Sequence, residues 1–518
     1  MRTINPFLAT DAYKVGHPRM YPKGTKLVYS NFTPRSSKHS NTDIGGVVSF
    51  GQQMVMREIH EMFLEGFFNR DKAEVLGEIS TEYSMFLGEP FDTTHIAALH
   101  DLRYLPICVK ALPEGTIVPY GVPVLTIVNT NPEFYWITNF LETLLSNLLW
   151  KPMTSATTAF AYRELLHSWM KRTDETNEGF VDFQAHDFSM RGMDSLFATM
   201  SSGLGHATAF KGSDSLPVVH GARLYYDADG FVVGSVNATE HSVMCAGTKD
   251  DELGTFRHLM STFPTGILSI VSDTWDLWKV INEILPELKK EILARDGKIV
   301  IRPDSGDPVD IICGTFLWES KEQWDMYNGV GSKDQLDKDD TPYSESTPEE
   351  TGVIELLWEI FGGTINSQGY KVLDPHIGAI YGDSITLDRA DEICERLEKK
   401  GFASTNIVLG IGSYTYQYNT RDTHGFAMKA TYVEIEDEHG MQEERPIFKD
   451  PVTDDGTKKS AKGLLVVEKS FTGQYELIDN VSWEHEEGGE LEQIYYQGHE
   501  RRSINLEHVR RRINELIN

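Results

Sequence analysis

Arg191, Asp214, His241, Asp273, Arg302, Asp304, the pair Gly382-Asp383, Gly412 and Arg421 combine cations, carboxylates, an imidazole and glycines along the middle and end of the chain. Guanidinium groups and glycine-rich turns suit phosphate oxygens, whereas carboxylates suit sugar hydroxyls or Mg²⁺. A phosphorylated sugar satisfies both demands. The same residue types also make structural ion pairs, so the set specifies a ligand class rather than a reaction. There is no G-x-x-x-x-G-K-[ST] loop, so any ATP must share the sugar-phosphate pocket. His-x-His and His-Glu-x-x-His are also missing, which removes the usual ligand framework of a metal-dependent barrel hydrolase.

These residues follow short apolar runs. Ile267–Val271 leads into Ser272-Asp273, Lys298–Ile301 into Arg302-Pro-Asp304, Ile377–Tyr381 into Gly382-Asp383, and Asn406–Leu409 into Gly410-Ile-Gly412. Each run reads as a strand ending in a polar turn. Helical patterns over Trp275–Lys290 and Leu387–Lys400 follow two of them, and this alternation implies parallel strands joined by crossovers. Parallel strands place all the polar turns on one side. That side is the active face of a (β/α) barrel or the crevice of an open doubly wound sheet, and periodicity does not choose between them.

Asn131-Pro132-Glu133 has the form of a helix start, and the apolar spacing from Trp136 to Leu149 predicts a helix that Pro152 ends. A second amphipathic helix is expected from Ile504 to Ile517, with Arg510, Arg511 and Arg512 on its wet face. Glu319–Thr351 carries ten acids against Lys321, Lys333 and Lys338 and reads as a solvated acidic insertion.

The chain has 518 residues, long enough for two or three domains, with ordinary globular values of 40% hydrophobic and 24% charged residues. Lys plus Arg number 48 against 78 acids, and a net charge of −30 argues against a nucleic-acid surface. A small anion needs only a local cluster of cations. Four scattered cysteines form no C-x-x-C pair, which fits a reducing cytoplasm. No signal peptide and no membrane span are expected.

Several segments together carry a resemblance: Leu8-Ala-Thr-Asp-Ala-Tyr-Lys14, His186-Asp-Phe-Ser-Met-Arg-Gly192, Phe210-Lys-Gly-Ser-Asp214, Ser235-Val-Asn-Ala-Thr-Glu-His-Ser242, Val271-Ser-Asp273, Ile301-Arg-Pro-Asp-Ser-Gly306, Gly382-Asp383 and Phe448-Lys-Asp-Pro451. In these, and in their order, the chain resembles the nicotinamide phosphoribosyltransferase family of type II phosphoribosyltransferases. The resemblance implies an α/β fold: a central (β/α) barrel-like domain over 151–399, with the acidic insertion near 319–351, and a second α/β domain from 1–150 and 400–518. It also implies a homodimer with shared active sites. The implied reaction moves the 5-phosphoribosyl group from phosphoribosyl pyrophosphate to nicotinamide, giving nicotinamide mononucleotide for NAD salvage, with Mg²⁺ as cofactor and ATP as co-substrate.

By the same resemblance His241, one of 17 histidines, is the phosphohistidine that couples ATP hydrolysis to turnover. Asp273 orients its imidazole or caps the helix before Trp275. Asp304 completes the catalytic set. Phe188 and Tyr13 sandwich the pyridine, Tyr13 arriving with Asp11 from the partner. Arg191, Arg302 and Arg421 meet phosphate or base, Ser235, Ser269 and Asp383 belong to the substrate-binding set, and Gly382 and Gly412 allow close backbone approach. The turn at Gly410-Ile-Gly412-Ser413 carries fewer glycines than the family pattern. Arg35, Lys429 and Lys449 add positive field, with Lys458 and Lys459 as weaker candidates. No residue is assigned as a metal ligand.

Asp214 bears on specificity. A carboxylate 4 Å from nicotinate's own carboxylate is repelled by ~4 kcal/mol at intermediate dielectric, roughly a thousandfold preference for the amide. Nicotinate phosphoribosyltransferase is the nearest rival reading, and a non-catalytic phosphoribosyl or nicotinamide sensor is the rival of another class.

Overall fold

The computed structural model describes residues 4–40, 42–315, 346–449 and 460–517. Residues 319–345 of the acidic insertion, together with Asp450, Pro451, Lys458 and Lys459, lie outside the described residues. Where description resumes, Thr347 and Glu350 form a reciprocal capping box on the short helix Pro348–Thr351.

Seven parallel strands form the central layer, in the spatial order Gly212–Ser213, Ala185–Asp187, Ile407–Ile411, Ile377–Tyr381, Asp296–Arg302, Thr265–Val271 and Asn237–Ala238. The four apolar runs expected to be strands are all among them. Closure comes from the segment before His241. Gly234 bridges Gly212 on one edge, while Asn237 and Ala238 pair with Leu268 and Ser269 on the other. Ser213 N donates to the Gly234 carbonyl at 3.0 Å, and Gly234 N donates to Lys211 O at 2.9 Å. The layer is thus a barrel, not an open sheet. Ile407–Ile411 belongs to it, so the parallel layer reaches past residue 399.

A second seven-stranded sheet is antiparallel and draws on both ends of the chain. Its order is Gln442–Pro446, Ala427–Glu436, Thr25–Thr33, Leu125–Asn129, Ile107–Ala111, Glu492–Tyr496 and His499–Glu500. Asn31 pairs with Lys429, and Asn31 Nδ2 also donates to the Lys429 carbonyl at 3.1 Å. One continuous apolar core runs beneath both layers.

Two helical expectations are revised. Asn131 does cap its turn by accepting from Glu133 N, but the turn Pro132–Phe134 is brief, and a 32-residue helix, Glu142–Thr173, then runs straight through Pro152. Proline removes one ladder hydrogen bond and crowds the preceding turn. Two glycines leave room for it: a Cβ on Gly51 would lie 2.8 Å from Pro152 Cγ, and one on Gly205 would lie 2.8 Å from the Pro152 carbonyl oxygen. The C-terminal helix spans Leu506–Ile517, but Arg510 is buried rather than wet. Its guanidinium donates from Nε to Ala207 O at 2.7 Å and from Nη2 to Val232 O, tying the chain end to the barrel.

Replacing Arg510 with Ala leaves two buried carbonyls without donors, at about 1–3 kcal/mol each. Urea unfolding of Arg510→Ala is expected to show a loss of roughly 2–5 kcal/mol, whereas exposed Arg511→Ala stays within about 0.5 kcal/mol of the parent.

Candidate active site

Every strand of the barrel ends in a turn on the same face, and each turn delivers one or two of the residues singled out above. Phe188 follows Ala185–Asp187, Asp214 follows Gly212–Ser213, and His241 follows Asn237–Ala238. Asp273, Asp304, Asp383 and Gly412 follow the remaining four strands in turn.

The Asp273 and Asp304 turns are locked by register. Val271 pairs with Arg302, Ser272 N donates to Arg302 O at 2.9 Å, and Asp304 N donates to the Asp273 carboxylate at 3.0 Å. Ser305 Oγ donates to the same carboxylate oxygen at 2.5 Å. The other oxygen, Oδ1, is buried without a hydrogen-bond partner. His241 begins the helix His241–Gly247, with its Nε2 3.6 Å from Asp304 and 3.9 Å from Asp273. The imidazole's hydrogen-bond partner is Thr274 Oγ1, 3.1 Å from Nδ1. The ring is half exposed while Asp273 is nearly closed off, so an imidazole faces solvent above a buried carboxylate. The cap of the helix after this turn is Asp276, which accepts from Lys279 N, and not Asp273. Asp273 is already engaged by the neighbouring strand.

Arg302 lies between this acidic corner and the aromatic one. Its Nη2 is 4.0 Å from Asp304, its Nη1 donates weakly to Thr239 O at 3.4 Å, and its buried Nε has no partner. Its guanidinium carbon sits 5.6 Å from the Phe188 ring centre. Phe188 in turn lies 4.5 Å from the His186 ring. His186 Nε2 donates to Asp214 Oδ1 at 2.8 Å. Burial alone would raise the Asp214 pKa, but hydrogen bonds from His186 and Ser235, with the charge of Arg302, outweigh it and hold the carboxyl below the usual carboxylate range. Asp214 is therefore an ionised acceptor beside a half-buried aromatic face.

Glycines set the approach distances. A Cβ on Gly382 would lie 2.1 Å from Asp304 Oδ1 and 3.1 Å from Arg302 Nε; one on Gly412 would lie 1.7 Å from Asp383 Oδ1. Gly192, next to Arg191, packs in the same way on Ser413. The scarcity of glycine around Gly412 leaves these contacts intact. Arg191 is exposed beside that turn, and Ser269 lies within Thr265–Val271, where its carbonyl accepts from Thr239 N at 3.0 Å.

The remaining predicted residues gather on the antiparallel domain. Burial lowers the Lys429 pKa, and Arg35, Lys449 and Arg421 add to the effect against an opposing Glu142, so four cations share one region. Arg35 Nε donates to Gly425 O at 2.8 Å. Asp11 accepts from Thr143 Oγ1 at 2.7 Å, and Tyr13, 61% exposed, lies 5.5 Å from the ring of His17 of its own chain, tilted by 53° to it, and not against Phe188. Tyr13 and His17 also line a surface cavity of about 800 Å³ with Phe91, His95 and Trp136. Its phenol is pushed up by burial and by Glu142 and Asp11, with Arg421 opposing.

His186, Thr274 and Ser305 were not singled out from sequence. His186 lies two residues before Phe188 in a quoted motif, and Thr274 and Ser305 each adjoin a chosen aspartate, so adjacency was the available signal.

The described residues hold no cluster of three or more His, Cys, Asp or Glu arranged to bind a metal. That still fits Mg²⁺, which commonly takes one or two carboxylates with the rest from water and substrate phosphates. Asp273 Oδ1, which makes no hydrogen bond, with Asp304 nearby, offers such a pair.

Comparison with known proteins follows the same lines. Residues 183–485 match the nicotinate phosphoribosyltransferase (NAPRTase) family model, and residues 5–75 match the nicotinamide phosphoribosyltransferase N-terminal domain. A nicotinamide phosphoribosyltransferase of Acinetobacter baylyi is 48% identical over 98% of this chain and 97% of its own. The chain belongs to the nicotinamide phosphoribosyltransferase family. A member named likewise from Mycoplasma pneumoniae is 34% identical over 89% of this chain and 95% of its own. The crystal structure of human nicotinic acid phosphoribosyltransferase shares the fold with a TM-score of 0.52, at 15% identity over 98% of this chain and 93% of that one. The protein is a phosphoribosyltransferase family enzyme built on a barrel and a second α/β domain. No described helix is long and apolar enough to cross a membrane.

Gly382→Ala is expected to force the Asp304 carboxylate to rotate, because the Asp304 backbone is pinned to Asp273. Turnover should fall by roughly 10–100-fold, in line with the cost of ångström-scale misplacement of a positioning group, while the circular dichroism spectrum and thermal midpoint stay close to the parent's.

Proposed function

We propose that the chain transfers the 5-phosphoribosyl group of phosphoribosyl pyrophosphate to nicotinamide, releasing pyrophosphate and forming nicotinamide mononucleotide in NAD salvage. The observation that carries this reading is the ionised Asp214, held by His186 next to the Phe188 ring. A nicotinamide ring stacked on Phe188 presents its amide N–H to Asp214, which spends Oδ1 on His186 and has further acceptor capacity. Nicotinate presents a carboxylate to the same group and is repelled.

The phosphate groups then meet Arg302, Arg191 and the turns at Gly382 and Gly412. The pyridine nitrogen already carries its lone pair, so no strong general base is needed. The transition state develops an oxocarbenium ribose and leaves pyrophosphate, and the rate comes from alignment and from cationic neutralisation of the departing charge. Asp273 and Asp304 are the residues that would hold Mg²⁺, which would add to the neutralisation of the departing charge. Asp383 faces the ribose hydroxyls.

His241 takes the γ-phosphoryl group of ATP in this reading: an imidazole nitrogen attacks phosphorus and ADP departs, and hydrolysis of the phosphohistidine is coupled to tighter substrate binding. Support comes from its exposed position above two carboxylates within 4 Å. ATP and phosphoribosyl pyrophosphate then compete for one pocket.

The outward-facing Tyr13, with Asp11, and the Arg35, Arg421, Lys429 and Lys449 cluster suit a homodimer in which each copy completes the other's site. That arrangement supplies the second face of the pyridine sandwich and more positive field for pyrophosphate. A cytoplasmic setting suits the free thiols of Cys108, Cys245, Cys313 and Cys394.

Mass analysis after incubation with equal nicotinamide and nicotinate, phosphoribosyl pyrophosphate, Mg²⁺ and ATP should give the amide nucleotide as the main product. Asp214→Asn should cut the preference for the amide by a factor of about 100 or more; a parent that favours nicotinate overturns the substrate assignment. His241→Ala should lose both the ATP stimulation and the acid-labile phosphate while keeping weak ATP-independent synthesis. An unchanged ATP response in that variant removes His241 from the mechanism.

A further inference from the structure

Behind the rim lies a buried polar chain that no part of this mechanism uses. Lys151, on the long helix Glu142–Thr173, is 5% exposed, and Tyr416 and His206 are fully buried. Lys151 Nζ donates to the Tyr416 carbonyl at 2.8 Å and to Asn419 Oδ1 at 3.0 Å. The Tyr416 hydroxyl lies 2.7 Å from His206 Nδ1, and His206 Nε2 lies 3.0 Å from the Gly212 carbonyl.

The chemistry of the partners assigns every proton. A carbonyl only accepts, so Nε2 carries hydrogen and donates to Gly212. Burial foremost lowers the His206 pKa, and that favours the neutral ring despite the opposing Asp187 charge. A neutral ring protonated on Nε2 has an acceptor at Nδ1, so the Tyr416 hydroxyl donates to it. Lys151 can only donate, and both of its partners are acceptors. The chain is satisfied in one sense only, which makes it stiff.

Its ends are the two halves of the substrate site. Gly212 is two residues before Asp214, the acceptor for the base. Tyr416 closes the short helix Ser413–Tyr416, whose first residue follows Gly412, and Asn419 precedes Arg421 by two residues. We infer that Lys151, Tyr416 and His206 are positioning residues: a buried strut that sets the spacing between the Asp214 turn and the Gly412–Arg421 segment, and so couples affinity for the base to affinity for the phosphates. The inference rests on the assignment of those two segments to base and phosphate made above.

The strut touches no substrate, so its loss should move binding rather than the chemical step. Tyr416→Phe keeps the ring and removes the hydroxyl, leaving His206 Nδ1 without a donor. His206→Gln retains a donor and an acceptor across the same gap, whereas His206→Leu retains neither. With all three variants confirmed folded by circular dichroism, Tyr416→Phe and His206→Leu should raise the KM for phosphoribosyl pyrophosphate and for nicotinamide together by about 5–20-fold, with kcat within about threefold. This corresponds to the loss of roughly one buried hydrogen bond from the bound state. His206→Gln should restore both constants to within about threefold of the parent, and calorimetry with phosphoribosyl pyrophosphate alone should show the same ranking of Kd.

Parent-like KM values in Tyr416→Phe and His206→Leu overturn the strut. So does a fall in kcat with both KM values unmoved, which is the signature of a merely structural loss of active enzyme, or a His206→Gln as weak as His206→Leu. A parent chain that binds no phosphoribosyl pyrophosphate overturns the functional reading and the strut with it, whereas tight parent binding unchanged by the variants overturns the strut alone.

Discussion

The hydrogen bond from the Asp304 backbone N–H to the Asp273 carboxylate is the interaction on which the site depends. It joins the turns after two adjacent parallel strands whose register, Val271 opposite Arg302, already brings them side by side. One carboxylate oxygen accepts from both Asp304 N and Ser305 Oγ, leaving the other buried without a hydrogen bond, 3.9 Å from His241 Nε2. That single arrangement places Asp304 3.6 Å from His241 and leaves Arg302 aimed between the acids and Phe188. Gly382 then serves a steric need, since its φ lies outside the left-handed region while a Cβ would push the Asp304 carboxylate out of place. The regular geometry of parallel strands thus turns a local hydrogen bond into the spacing of four chemically distinct groups.

Electrostatics divide the labour between the two domains. The barrel rim mixes carboxylates with Arg302, while the antiparallel domain concentrates Arg35, Arg421, Lys429 and Lys449 around Glu142 and Tyr13. Burial foremost lowers the Lys429 pKa, and repulsion from Arg35, Lys449 and Arg421 adds to it. An anionic ligand relieves that repulsion. A protein of net charge −30 can therefore hold a polyphosphate locally, because the field that matters is the one within a Debye length, about 8 Å at physiological salt.

Much of this was legible in the sequence because it rests on local pattern. Ile377–Tyr381 was found to the residue, the other three strands to within two or three residues, and the polar turns after them held the acids and glycines of the rim. What escaped reading depends on tertiary neighbours. Pro152 looked like a helix end because the glycines that make room for it, Gly51 and Gly205, are remote in sequence. Arg510 looked solvated because its carbonyl partners belong to the barrel. Asp276 displaced Asp273 as a cap once a neighbouring strand had claimed Asp273. Barrel closure through Gly234 and the burial of Lys151, His206 and Tyr416 leave no periodic trace, since each is a single residue meeting a distant one.

The pairing of His186 with Asp214 refines how selection against a carboxylate would work. An isolated Asp214 would repel nicotinate at full strength. A hydrogen bond from a neutral His186 polarises the carboxylate without cancelling its charge, whereas a protonated His186 would make the pair neutral and leave the amide and the acid to be told apart by hydrogen-bond geometry alone. Arg302, 5.6 Å from Phe188, pulls in the opposite direction and attracts any anion near the ring. Its charge is held close to Asp304, at 4.0 Å, and its Nη1 leans on Thr239 O, so its field at the ring is shared with the phosphate side. In the proposed reading, discrimination at the base end is thus a balance between the repulsion of Asp214 and the attraction of Arg302, and the lowered Asp214 pKa keeps that carboxylate ionised.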